Sequence, residues 1–253
     1  MSVLFASLLG LLFGSFANVY FFRVPQELSF IRPRSFCPAC ERPLLWHDNV
    51  PILSYLILGG KCRSCGARIP IRYPAVELAL GIFFGCAAFK LRGAPVPVCA
   101  AFLFYVLIIF LIGGIDLATF FKNEKKYGII PDPLTLSLAV SGAAFSAFNP
   151  YQRMDPWAGL LHGAAVAAMM SVFRWGAGKL AKREALGLGD VKMMAGVGVW
   201  LGWNGALAAL IAGSVLGTFV SLPMLLSKKA GWKTEVPFGP FLSIGALGAF
   251  FFL

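Results

Sequence analysis

Eight stretches of this chain are long and apolar enough to leave water for lipid. They run over residues 2–21, 75–91, 97–116, 132–148, 157–173, 190–204, 205–227 and 236–253. A bilayer-crossing helix needs roughly 20 apolar residues, with a range of about 17–25. With 58% of residues hydrophobic and 13% charged, the chain is too apolar for a water-soluble globular domain. The pattern predicts an all-α integral membrane protein, a bundle of about eight transmembrane helices. Segments 132–148 and 190–204 are short and rich in Gly and Ala, which suits close helix packing in lipid. Only Gly202-Trp203-Asn204-Gly205 separates the sixth span from the seventh, so these two form a candidate tight helical hairpin.

The formal charge of +11 invites a nucleic-acid partner, but its distribution argues for membrane topology instead. With the N-terminus outside, segments 22–74, 117–131, 174–189 and 228–235 face the cytoplasm and hold 18 of the 22 basic residues. The outer loops keep only Lys90, Arg92 and Arg153. That asymmetry is the one the positive-inside rule predicts. No basic stretch interleaved with aromatics marks a nucleic-acid surface, so membrane lipids and not nucleic acid are the expected surroundings. The first span has no basic stretch before it and no clear cleavage site, so it reads as a retained helix. The chain thus divides into a first transmembrane helix (1–21), a cytoplasmic loop (22–74) and a seven-helix bundle (75–253).

The 22–74 loop carries Cys37-Pro-Ala-Cys40 and, after a gap of 21 residues, Cys62-Arg-Ser-Cys65. Each C-x-x-C turn can aim two thiolates at one metal ion, and two such turns complete a tetrahedral zinc site. A loop this small buries little core, so a metal would supply folding free energy. The alternatives are two disulfides or free thiols, and a cytoplasmic loop disfavours the disulfides. Four cysteines close the coordination shell, which predicts structural Zn2+. His47 reads as a solvated loop residue. Cys86 and Cys99 read as small buried apolar residues.

Two acidic residues stand out at span edges. Asp116 ends the third span, and Asp190 closes Gly187-Leu188-Gly189-Asp190 at the start of the sixth. Ionisable groups at membrane depth are costly and mostly functional. Two carboxylates brought together can share a proton and activate water. Gly187 and Gly189 support Asp190 by leaving room for unusual backbone angles and for an extended substrate. Against this, Asp116 can mark the headgroup level and Asp190 can cap a helix. Asp132 after Pro131 reads as a cap or turn residue. Glu77 is expected to pair with Arg72 or a substrate group. His162 reads as a packing residue and Lys192 as a snorkelling lysine.

Several motifs together resemble one family. They are Gly14-Ser15-Phe16-Ala17-Asn18-Val19, Arg23-Val24-Pro25, the two C-x-x-C pairs, Arg72-Tyr73-Pro74-Ala75-Val76-Glu77, Gly187-Leu188-Gly189-Asp190-Val191-Lys192 and Pro237-Phe238-Gly239-Pro240-Phe241-Leu242. In this order they are similar to the bacterial type IV prepilin peptidases, G-x-G-D membrane aspartyl proteases. The resemblance implies a bacterial cytoplasmic (inner) membrane protein with Asp116 and Asp190 as catalytic pair. It implies cleavage of prepilin and pseudopilin leaders at the cytoplasmic face. It further implies N-methylation of the new N-terminus with S-adenosylmethionine, since members bearing the cysteine loop are typically bifunctional. One departure is an insertion-like stretch, residues 120–128, which leaves Asp116 and Asp132 unusually far apart. The competing readings are a presenilin-like intramembrane protease and a non-enzymatic zinc-loop scaffold or transporter. The four-cysteine loop opposes the first, and the one-sided placement of acidic residues opposes the transporter.

Overall fold

The computed structural model describes residues 1–29, 31–32, 34–122, 129–152, 155–181, 186–226 and 236–253. Among these the architecture is helical without strands, apart from two isolated bridges, Phe36 with Pro43 and Lys61 with Arg68. The helices are α1 (Val3–Arg23), α2 (Leu53–Ile57), α3 (Arg72–Lys90), α4 (Val96–Lys122), α5 (Asp132–Phe145), α6 (Pro156–Ala181), α7 (Leu188–Leu226) and α8 (Gly239–Phe252). Among the described residues four stretches are long and apolar enough to cross a membrane by length and composition: Val3–Gln26, Arg72–Lys90, Val96–Phe120 and Leu188–Pro223, the last of them folded back on itself at Gly202. The expected fourth span is shorter than its hydropathy suggests, because α5 passes into a 3-10 turn at Ser146–Phe148. The insertion-like stretch lies outside the described residues from Asn123 to Gly128.

The chain forms two compact units, Met1–Cys99 and Ala100–Leu253. In the first, α1 packs antiparallel on α3 through glycines spaced four apart on each helix. A Cβ on Gly10 would lie 2.5 Å from the Leu80 carbonyl oxygen, and one on Gly14 would lie 2.5 Å from the Glu77 Cα. Gly81 and Gly85 face Leu11 and Ser7 in return. Without a hydrophobic driving force in lipid, such close backbone approach is what holds two helices together. Asn18 ties the pair by donating from Nδ2 to the Gly14 and Tyr73 carbonyls at 3.3 and 3.0 Å.

In the second unit, α7 reverses direction at its middle. Gly202 leaves helical geometry with φ 72° and ψ −177°. Contacts with α8 fix the consequence. Met193 Sδ lies 4.0 Å from the Ser243 hydroxyl, while a Cβ on Gly213 would touch the neighbouring Leu242 Cα at 3.0 Å. Residues 193 and 213 of a straight helix would stand about 30 Å apart. The two halves therefore run side by side as two helices joined at Gly202, the hairpin expected at Gly202–Gly205.

One end of this unit is closed by aromatic packing. Trp200 is fully buried, donates from Nε1 to the Leu138 carbonyl at 2.9 Å, and lies 5.3 Å from both the Phe102 and Tyr105 rings. Phe102 stacks on Phe250 at 5.2 Å. Asn149 donates to the Trp200 carbonyl at 2.7 Å and Tyr151 to the Phe250 carbonyl at 3.2 Å, so the buried polar groups there are satisfied. The rigid end leaves the opposite end, where α4 finishes and α5, α7 and α8 begin, to carry Asp116 and Asp190.

Candidate active site and metal centre

Asp116 stands near the C-terminal end of α4 and Asp190 in the first turn of α7, and both are buried, at 4% and 7% exposure. The fold brings them together, close enough for the charge of Asp116 to act on Asp190. Backbone amides meet each carboxylate, that of Gly239 at Asp116 and that of Gly187 at Asp190. Charge-assisted bonds of this kind hold a carboxylate in one orientation.

Glycines make the approach possible. A Cβ on Gly239 would lie 2.6 Å from Asp116 Oδ2, and one on Gly187 would lie 3.1 Å from Asp190 Oδ2. The room beside Gly189 is filled by Ile130, whose Cβ would be 2.9 Å from an added methyl. Ile130 also reaches Gly239, its Cδ1 lying 3.2 Å from where a Cβ would stand there. One side chain thus wedges between the glycine preceding Asp190 and the glycine facing Asp116. Thr119 fixes that wedge from α4. Its hydroxyl oxygen accepts from the Ile129 backbone amide at 2.9 Å and donates to the Ile115 carbonyl at 2.9 Å. Neither Thr119 nor Ile130 was singled out from sequence, since nothing local distinguishes them. Gly239 lies in Pro237-Phe238-Gly239-Pro240-Phe241-Leu242, where nothing local marks its role.

Two neighbouring expectations change. Lys192 does not merely snorkel, and Asp132 does not cap α5, whose N-cap is Pro131 without a side-chain bond: Lys192 Nζ and Asp132 Oδ1 form an ion pair at 2.7 Å, linking α7 to the start of α5. Its partners are largely exposed, so it contributes little stability.

The cysteine loop is built from two equivalent knuckles. In each, the first cysteine donates its backbone N–H to the residue five positions on, Cys37 to Arg42 and Cys62 to Ala67. Each also accepts from the residue four positions on, Glu41 to Cys37 and Gly66 to Cys62, and that residue has positive φ, 58° and 70°. The four sulfurs lie within 4.8 Å of one another, with Cys37 Sγ to Cys65 Sγ at 3.9 Å. Zinc–sulfur bonds of about 2.3 Å in a tetrahedron place sulfurs about 3.8 Å apart. None of the four is joined in a disulfide. Backbone amides of Cys65 and Ser64 bring the Cys62 thiol down to about 7. Cys65 stands at about 11: the Ala67 amide opposes that rise, and lost hydration with the thiols of Cys40, Cys62 and Cys37 outweighs it. The donor set therefore has the geometry to hold one metal ion.

Around the knuckles, His47 is not among the sulfur cluster and half-exposed beside Asp48. Asp48 accepts a two-pronged bond from Arg63, from Nε at 3.0 Å and Nη2 at 2.8 Å, which holds its carboxyl below the usual range. Glu77 is not paired with Arg72, whose guanidinium lies over the Tyr73 ring at 5.1 Å; its Oε2 accepts the Ile52 backbone N–H at 2.7 Å. Cys99 is buried as expected, but Cys86 is exposed on the outer face of α3, where a small apolar thiol suits lipid. His162 sits on α6, whose backbone at that residue packs on Gly198.

Fold and site together define a multi-pass, all-helical membrane protein with a buried carboxylate pair and a four-thiol cluster. The profile described as "Bacterial Peptidase A24 N-terminal domain" matches residues 8–91, and that of the "Type IV leader peptidase family" matches residues 125–222. The second takes in Asp190 but begins after Asp116. A prepilin leader peptidase/N-methyltransferase of Myxococcus xanthus (strain DK1622) is 38% identical over 91% of this chain and 66% of its own length. One from Klebsiella pneumoniae is 37% identical over 83% and 90%. One from Burkholderia pseudomallei (strain K96243) is 30% identical over 100% and 86%. No solved structure matches significantly. The chain belongs to the type IV leader peptidase family.

Proposed function

We propose that this chain cleaves the leader of type IV prepilins and pseudopilins with Asp116 and Asp190, and then N-methylates the new N-terminus. The observation that carries the peptidase half is the buried aspartate pair, on two different helices, with backbone amides and a glycine-lined approach. Two buried carboxylates that feel each other's charge resist joint ionisation, so one keeps its proton. The ionised member takes a proton from water as the water oxygen attacks the scissile carbonyl. The protonated member donates to the carbonyl oxygen, and the leaving amine then collects a proton from the pair. The amide of Gly187, just ahead of α7, and that of Gly239, at the start of α8, keep the carboxylates aimed while charge moves.

The topology that fits is N-terminus outside, with the 22–74 loop and the aspartate end facing the cytoplasm of the inner membrane. A prepilin, with a charged leader running into an apolar helix, would present its cleavage point at that interface. Cys37, Cys40, Cys62 and Cys65 would hold one structural Zn2+, which braces a loop too small to build its own core. S-adenosylmethionine would supply the methyl group for the freed α-amino nitrogen. The test is to incubate purified protein with a prepilin and S-adenosylmethionine and weigh the product. Leader loss plus one methyl group is expected; an intact prepilin would overturn the peptidase assignment, and a cleaved but unmethylated product the second activity.

A further inference from the structure

The aspartate pair accounts for hydrolysis and leaves the methyl donor without a site. Within the first unit, the cysteine loop and the facing ends of α1 and α3 enclose a cavity of about 440 Å³. That is within the about 300–1,000 Å³ of small-molecule sites. Its wall carries four aromatic rings, Phe22, Phe36, Tyr55 and Tyr73, together with the Glu77 carboxylate. Glu77 is 8% exposed, a placement that costs free energy unless the charge has partners.

The chain goes to some length to hold that carboxylate. Gly14 lets α1 come within contact of the α3 backbone at Glu77. The Ser15 hydroxyl and the Ile52 amide both bond to it. Ile52 offers that amide from φ 61° and ψ −49°, with Leu53 N donating to the Pro51 carbonyl at 2.6 Å. This is a γ-turn of positive φ, rare for any side chain and strained for a β-branched one. Strain of this kind persists where surrounding structure imposes it and gathers at ligand clamps.

We propose that this cavity binds S-adenosylmethionine, with Glu77 facing the cationic methionine end and the rings taking the adenosine. The inference rests on the methyltransferase half of the reading above. A sulfonium and an ammonium are the groups that a carboxylate within a ring-lined pocket selects. The donor's own carboxylate finds Arg72, whose guanidinium lies over Tyr73 on the same wall. Methyl transfer moves CH3 from sulfur to the amine nitrogen, neutralises the sulfonium and releases one proton. The product S-adenosylhomocysteine therefore interacts more weakly with Glu77 and leaves.

The experiment is calorimetric titration of the full-length, metal-loaded protein in detergent with S-adenosylmethionine and S-adenosylhomocysteine. Glu77→Gln keeps an acceptor for the Ile52 amide but removes the charge. It should weaken S-adenosylmethionine roughly tenfold or more, and S-adenosylhomocysteine by much less. Leu58→Trp, which adds bulk to the cavity wall, should weaken both ligands. Prepilin cleavage by each variant verifies that the fold survives. A wild type that methylates and binds the donor, with both variants binding it equally well, overturns this site alone. So does binding of a peptide with a free N-terminal Phe that is lost in Glu77→Gln while donor binding persists. A wild type that cleaves but neither methylates nor binds the donor removes the methyltransferase reading itself, and this site with it.

Discussion

At the scale of single residues, the proposed cleavage turns on Asp116, Asp190 and the glycines beside them. Asp116→Asn or Asp190→Asn is nearly isosteric and removes one acid/base partner. Each should lower leader cleavage by about 10²–10⁴-fold with the bundle still folded. Gel-based processing of a prepilin by either purified variant at the wild-type rate would dismiss the pair. Gly239→Ala tests the geometry without touching a titratable group. Its methyl would stand 2.6 Å from Asp116 Oδ2 and 3.2 Å from Ile130 Cδ1, so the carboxylate or the wedge must move. A displacement of about 1 Å at a reacting group costs on the order of 10²-fold. Cleavage should fall to that extent with KM little changed, and an unaltered kcat would mean that the wedge yields freely. The aspartates were legible in the sequence because carboxylates are rare in apolar spans. Thr119 and Ile130 were not: Ile130 acts through contacts with Gly189 and Gly239, 59 and 109 positions away, and Thr119 only by bonding to the Ile129 amide beside it.

At the scale of elements, hydropathy marked each long helix, since lipid demands continuous apolar runs. The cysteine knuckles were equally legible, because metal geometry imposes the C-x-x-C spacing. What sequence periodicity missed was helix pairing. The Gly10/Gly14 and Gly81/Gly85 spacing is a recognisable signal for close approach, but which two helices share it appears only in three dimensions. Glu77 shows the same limit, as its partner Ile52 lies 25 residues away in the loop. The reversal in α7 is the exception, for Gly202-Trp203-Asn204-Gly205 reads as a turn. Gly202 sits at φ 72° and ψ −177°, a region nearly restricted to glycine. Gly202→Ala should cost about 1–3 kcal/mol and lower the unfolding midpoint in detergent. An unshifted midpoint would show that the hairpin does not depend on that backbone angle. For the knuckles, elemental analysis should return one zinc per chain, and a Cys37→Ser, Cys62→Ser double variant should lose it. Metal-free protein with the four thiols titratable would reduce the cluster to packing.

At the scale of the whole molecule, the two proposed chemistries fall in different units of the chain. Met1–Cys99 holds the four thiols, the strained Ile52 turn and the ring-lined cavity, whereas Ala100–Leu253 holds both aspartates and the hairpin that positions Asp190. If the metal loop serves methyl transfer, its disruption should spare hydrolysis. The double cysteine variant is then expected to lose methylation roughly tenfold or more, since about 1.4 kcal/mol of lost positioning is already a factor of ten. Cleavage should stay near the wild-type rate. The competing effect is thermodynamic, because losing a structural zinc removes folding free energy and can loosen α1 against α3. The comparison therefore requires protein that remains monodisperse and keeps its helical circular dichroism. Mass spectrometry of one pilin product separates the two signals, leader loss reporting the aspartates and the added methyl group reporting the first unit. Parallel decline of both in well-folded protein would mean that the loop recruits substrate for the two steps alike, and the division of labour between the units would not stand.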